Sequence, residues 1–216
     1  MISPEEDISR QSGFVVTRDG TQLHYSVACP SEAQATVLIV HGYCEHGGRY
    51  EHVMRFLAER GYEVAAFDLR GHGRSQGRRS HIDRFGEYLD DVDAAVDWAT
   101  ARTGVSRKLF LLGHSLGGLV VASYAIEHPE GLDGVVLSSP FLGFRIDVGR
   151  AKRWIGRTMS IVWPTLSLPT DIPAEYLSTD PEVGRAYERD PLVNKVATVR
   201  WFTEVLAQQR RVMERA

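Results

Sequence analysis

Cysteine is scarce in this chain: Cys29 and Cys44 are the only two in 216 residues, in dissimilar settings and without metal-ligand spacing. Neither a disulfide framework nor a cysteine-bound metal organises such a sequence. A reducing cytoplasm is the simpler setting, with a single bond between the two left open. Positive charge is also short. Lysine occurs only at Lys108, Lys152 and Lys195 and the formal charge is -3, so no basic excess is available to neutralise phosphates and a nucleic-acid partner is not expected. Apolar runs are brief. Thr36–Val40 is typical, far below the roughly 20 residues a membrane-spanning helix needs. Met1 to Gln11 is acidic and polar, with no basic n-region, apolar h-region or cleavage pattern, so a secretory signal is not expected. Internal repeats and low-complexity tracts are missing. Histidine stops early: none follows His128.

What is there is an ordinary globular composition, 43% hydrophobic and 25% charged, enough for one sizeable core but not two full domains. Short β-rich runs alternate with amphipathic ones. Phe14–Thr17 and Gln22–Ala28 alternate apolar and polar residues around Asp19-Gly20, a hairpin turn. Val37–Val40 is a continuous aliphatic, largely β-branched run, as a strand buried on both faces should be. Tyr50, Val53, Met54 and Leu57 then define a helix face that stops at Gly61. Glu63–Asp68 reads as a strand. Phe85, Leu89, Val92, Val96 and Ala99 step by four and three along a helix closed by Arg102 and Gly104. Lys108–Leu112 is a further buried strand, Leu116–Glu127 a helix, and Gly134–Leu137 the last clear strand. Such alternation predicts an α/β fold: a mainly parallel sheet with helices on both faces.

After Pro140 the texture changes. Phe141 to Asp190 carries Pro164, Pro169, Pro173 and Pro181 among scattered large side chains such as Trp154, Ile161 and Trp163. No strand pattern survives there, which predicts a helical cap insertion. The expected division is a core over 1–140, a cap over 141–190, and over 191–216 a helix returning to the core. That helix would present Leu192, Val196, Val199 and Leu206 on one face.

Chemistry is concentrated at Gly113-His114-Ser115-Leu116-Gly117, a G-x-S-x-G between a buried strand and an amphipathic helix. That setting is what a nucleophile elbow requires. The central residue of such a turn is strained, so positions two before and two after it must lack bulk; Gly113 and Gly117 supply this, and Gly118 lets the helix approach the sheet. Ser115 would stand at the positive end of a helix, where the Leu116 amide can receive a tetrahedral oxyanion. The alternative is a passive serine in a glycine-rich turn. The second oxyanion amide should come from the loop after Val37–Val40, and Tyr43 is the position expected to give it. His41 and His114 read as structural imidazoles, not bases.

Three segments together resemble one family. His41-Gly42-Tyr43-Cys44-Glu45-His46-Gly47-Gly48-Arg49-Tyr50 resembles the H-G-x-x-E-H-x-x-R-Y segment of monoacylglycerol lipases and related bacterial lysophospholipases, an S33-like group of α/β-hydrolases. Asp68-Leu69-Arg70-Gly71-His72-Gly73-Arg74-Ser75-Gln76-Gly77 is similar to its D-x-R-G-H-G-x-S-x-G loop, and the elbow to its elbow. The resemblance implies a carboxylic-ester hydrolase acting on a monoacylglycerol or lysophospholipid through an acyl-enzyme at Ser115. It implies no metal or organic cofactor, an apolar acyl tunnel under the cap, and a cytoplasmic enzyme whose cap could touch a membrane surface. It also sets Glu45 and Arg49 near the polar head-group end, with a solvated loop ion pair as the competing reading.

One departure stands out. The fold's triad runs Ser, then Asp or Glu, then His, but His128 at the far end of the elbow helix cannot return to Ser115. Asp133, Asp147, Asp171, Asp180 and Asp190 fall outside the expected context, and the family's C-terminal strands are absent. Three explanations compete: a fragment of a longer esterase, a split enzyme whose second polypeptide supplies strands and histidine, or a non-catalytic acyl-binding module. The first is preferred because missing sheet strands would leave an exposed apolar edge. A peptidase also stays open, since an elbow does not discriminate ester from amide.

Overall fold

Asp19 and Gly20 turn the chain as the hairpin reading requires: Gly20 takes a φ of 86° and the Asp19 carboxylate accepts the Thr21 amide at 3.1 Å. The structure, a computed structural model, describes residues 8–104, 107–143, 150–170 and 173–215; Asp147 and Asp171 lie outside the described residues. Around the turn, β1 (Ile8–Val16) pairs antiparallel with β2 (Gln22–Pro30), Val16 opposite Gln22. The first strand begins well before Phe14, because pairing along β2 recruits the polar stretch that precedes it.

The sheet continues from β2 to β4 (Tyr62–Phe67), β3 (Ala35–Val40), β5 (Lys108–His114) and β6 (Gly134–Ser138), in the order β1-β2-β4-β3-β5-β6. The β2–β4 pairing is antiparallel; β4–β3, β3–β5 and β5–β6 are parallel. Every residue of the central β3 is buried, as its aliphatic run predicts. Helix α1 (Glu51–Ala58) covers one face, burying Met54 and Ala58 against Val37, Ile39 and Val64. Helices α2 (Gly86–Thr103) and α3 (Leu116–Glu127) cover the other with Tyr88, Leu89, Val92 and Leu119 against Leu38, Val40 and Leu111. Each fully buried aliphatic side chain of this kind contributes about 1.5–3 kcal/mol, so the two clusters fix the layer order.

The last sheet strand forms where Gly134–Leu137 predicts it, with Val135, Val136 and Leu137 41%, 52% and 38% exposed. Strand β6 is the edge of the sheet, and among the described residues no strand pairs with its outer side.

Beyond Pro140 come α4 (Arg150–Val162), β7 (Ser167–Pro169), α5 (Pro181–Arg189), β8 (Val196–Thr198) and α6 (Val199–Arg215). Two expectations are corrected here. The segment is not strand-free, because β7 pairs antiparallel with β8, Ser167 opposite Thr198. Three-residue strands, one ending in proline, carry no readable alternation. The final helix starts at Val199, so Val196 lies in β8 and Leu192 precedes it. The face that α6 buries is Val199, as expected, with Trp201, Val205, Gln208, Gln209 and Val212. Among the described residues no helix is long and apolar enough to cross a membrane.

Candidate active site

Strand β5 ends at His114 and α3 begins at Leu116, leaving Ser115 alone at the bend with φ 52° and ψ -115°. An L-residue at positive φ is strained, typically by about 1–3 kcal/mol, and persists only where the surroundings overdetermine it. They do so here. The Ser115 amide donates to the Ser138 carbonyl (3.1 Å), and the Ser115 carbonyl accepts from Phe141 (2.9 Å) and Leu119 (3.2 Å). The glycines are required by contact. A β-carbon on Gly113 would stand 2.4 Å from the Gly117 oxygen, and one on Gly117 would stand 2.0 Å from the Val40 oxygen. Ser115 is half-buried.

The loop after β3 lies directly against Ser115. A β-carbon on Gly42 would be 3.2 Å from Cβ of Ser115 and 2.7 Å from Oε1 of Glu45. The next residue is Tyr43. Among the described residues, neither its amide nor that of Leu116 takes part in a turn, loop or cap hydrogen bond between backbone groups.

Glu45 and Arg49 sit beside this loop, with both Glu45 oxygens engaged. Oε1 accepts from the Gly42 amide (2.6 Å) and the Tyr50 hydroxyl (2.7 Å), while Oε2 accepts from Arg49 Nε (3.3 Å). Burial, reinforced by the Glu45 charge, pushes the Tyr50 phenol up, so it remains the donor. The Arg49 guanidinium lies 5.0 Å over the Tyr187 ring. Glu45 therefore braces the loop whatever else it does.

The histidines sort by their partners. His41 Nδ1 donates to the Gly42 carbonyl (2.7 Å) while Nε2 accepts from Leu69 (2.9 Å), making it a wholly buried loop pin. Burial, with His41 beside it, pushes His72 down to about 3, so it stays neutral. His46 accepts the Gly48 amide on Nδ1 and donates from Nε2 to Asp190 (2.8 Å), just past α5. His114 approaches the Ser138 hydroxyl at 3.3 Å. His128 stacks on Tyr124, ring centroids 4.4 Å apart, at the end of a helix that rises about 1.5 Å per residue. Among the described residues no side chain hydrogen-bonds the Ser115 hydroxyl, so these residues form an elbow and its facing loop without a base.

Sequence patterns missed the contribution from beyond Pro140. Thr170, Asp190, Val196 and Trp201 all reach the 41–50 loop. No local spacing signals this, because the partners are brought together only by the chain's return over the sheet.

A parallel-cored sheet in this strand order, with a strained serine between the end of a strand and a helix, defines an α/β-hydrolase. Residues 31–216 match the family described as "Serine aminopeptidase, S33", and the chain belongs to it. Among curated relatives, the phospholipase YtpA of Bacillus subtilis is 35% identical over 80% of this chain and 66% of its own length. The monoacylglycerol lipase of Mycolicibacterium smegmatis is 34% identical over 81% and 62% respectively, so this chain spans about two thirds or less of the length of these relatives. A crystal structure of the monoacylglycerol lipase from Paleococcus ferrophilus superposes with a TM-score of 0.75 at 30% identity, covering 97% of this chain and 72% of that one.

Proposed function

We propose that this chain carries the nucleophile of a serine hydrolase that cleaves monoacylglycerol- or lysophospholipid-type esters through an acyl-enzyme at Ser115. The observation that carries the reading is the backbone of Ser115, strained at φ 52° with the Gly42 backbone packed against its side chain. The names of its relatives, phospholipase and monoacylglycerol lipase, support the substrate class. In the proposed reaction Ser115 Oγ attacks the ester carbonyl and the Tyr43 and Leu116 amides receive the oxyanion. The alcohol then leaves as it takes a proton from a histidine, and water, activated by the same base, releases the acid. Glu45 and Arg49 would flank the polar end of the substrate, with Glu45 also holding the loop.

The acid and histidine would come from strands paired along the exposed edge of β6, on chain outside these 216 residues or on a second polypeptide. In the cap, Trp154, Ile161, Val162 and Trp163 are exposed. They suit contact with a lipid–water interface, where an enzyme of single-chain lipids meets its substrate.

The test uses an alkyl fluorophosphonate and 1-monooleoylglycerol. Labelling confined to Ser115, abolished in Ser115→Ala, and ester turnover that rises at least about 10³-fold once the acid and histidine are supplied are the expected results. A second reading, an acyl-binding module, is favoured by the lack of any base near Ser115 among the described residues. It predicts acyl-chain binding with no labelling under any condition.

A further inference from the structure

The oxyanion residue is held by its side chain, and the holder is the cap-side ribbon. The Tyr43 hydroxyl lies 2.9 Å from the Val196 carbonyl and 2.5 Å from the Thr170 hydroxyl. A carbonyl can only accept, so the single phenolic proton goes to Val196 and Thr170 donates its own proton to the Tyr43 oxygen. Thr170 directly follows β7 and Val196 opens β8, and the Thr170 amide extends the ribbon by donating to Lys195 (3.0 Å). The Tyr43 ring is stacked on Trp201 of α6 with centroids 4.3 Å apart and planes 28° from parallel. Trp201 is buried in turn, its indole N–H donating to the Tyr88 hydroxyl at 2.9 Å.

The backbone around Tyr43 needs such a clamp. Gly42 before it is conformationally permissive, and Cys44 after it takes a φ of 60°, which a side-chain-bearing residue adopts only under constraint. The Tyr43 N–H belongs to the Gly42–Tyr43 peptide, so rotation of that peptide, or a shift of the Tyr43 Cα, would take the amide away from Ser115. Local sequence does not prevent this. A ring fixed at both hydroxyl and face opposes the shift, because it holds the Tyr43 Cα, where the peptide begins, in place beside Ser115.

We propose that Thr170 and Trp201 are positioning residues for the oxyanion hole, fixing the Tyr43 side chain so that its backbone amide stays turned to the Ser115 hydroxyl. The cap is then part of the catalytic geometry, and a cap lifted off the loop releases one of the two oxyanion donors. This rests on the Ser115 hydrolase reading, so two measurements separate them.

The first is phosphonylation of Ser115 by an alkyl fluorophosphonate, resolved into KI and the limiting rate. Losing an oxyanion donor outright costs about 10²–10³ in rate; a donor loosened but still present should cost roughly 5–30-fold. Thr170→Val and Tyr43→Phe should each slow the limiting rate by that factor with KI changed less than about twofold. Thr170→Ser, which keeps the hydroxyl, should recover most of the wild-type rate. The double variant should be no slower than the slower single one, since both remove the same strut. The second is amide hydrogen exchange of the 41–50 segment, expected to be faster in Thr170→Val and Tyr43→Phe but not in Thr170→Ser. Unchanged exchange, or unchanged limiting rates with labelled wild type, overturns the strut. If wild-type Ser115 is never labelled, faster exchange in the two variants upholds the strut and only the hydrolase reading falls.

Discussion

Gly117 faces the Val40 carbonyl with no room for a methyl group: a β-carbon would stand 2.0 Å from that oxygen and 2.5 Å from the His41 oxygen. Both contacts are to backbone, so neither can swing aside. Gly117→Ala should cost about 1–3 kcal/mol in urea unfolding and displace the helix that follows Ser115. Asp68 is the second residue with a measurable signature. It accepts from the Gly47 amide (2.7 Å) and the Arg74 amide (2.9 Å) and faces His24 at 3.4 Å. Burial pushes its carboxyl up, but the His24 ring, the nearby His41 and these two amides outweigh burial and hold it at about 2. The folded value lies below the unfolded value of about 4. The carboxylate therefore contributes stability above that pH and loses it as the pH falls toward the folded value, about 2 kcal/mol in all. Asp68→Asn should destabilise the protein by roughly that amount at neutral pH. It should also flatten the loss of stability between about pH 4 and pH 2; an unchanged acid limb would contradict the assignment.

Among the elements, those built from local pattern were readable and those built from distant contact were not. Helix α2 follows its step of three and four, with Leu89, Val92 and Ala99 buried. The elbow follows from three glycines and a flanking strand and helix. The ribbon of β7 and β8 left no trace, because three residues do not make a period and Pro169 cannot donate to a ladder. Helix α4 yields its own prediction. Gly156 sits inside it with nothing within 4 Å of the place an added methyl group would occupy, so Gly156→Ala should stabilise the helix by about 0.5–1 kcal/mol. A thermal melt checks the sign, and a lower midpoint would mean that the glycine serves packing.

For the whole molecule, the sheet edge at β6 carries the prediction. Val135, Val136 and Leu137 are exposed on a strand whose outer side no other strand pairs with among the described residues, the pattern that invites edge-to-edge pairing. The 216-residue chain should self-associate with rising concentration in sedimentation velocity, and Val136→Lys should suppress this. A wild type that stays monomeric throughout would show the edge to be protected. At this scale the division is plain. Sequence alone determined the alternating α/β order and the glycine-flanked bend at Ser115, because each rests on residues a few positions apart, where periodicity and glycine spacing are visible. Tertiary structure alone decided that Tyr43 is clamped by Thr170, 127 residues away, and His46 by Asp190, 144 residues away. Contacts over such separations are made by the chain's return across the sheet, and they leave no repeating mark in the order of residues.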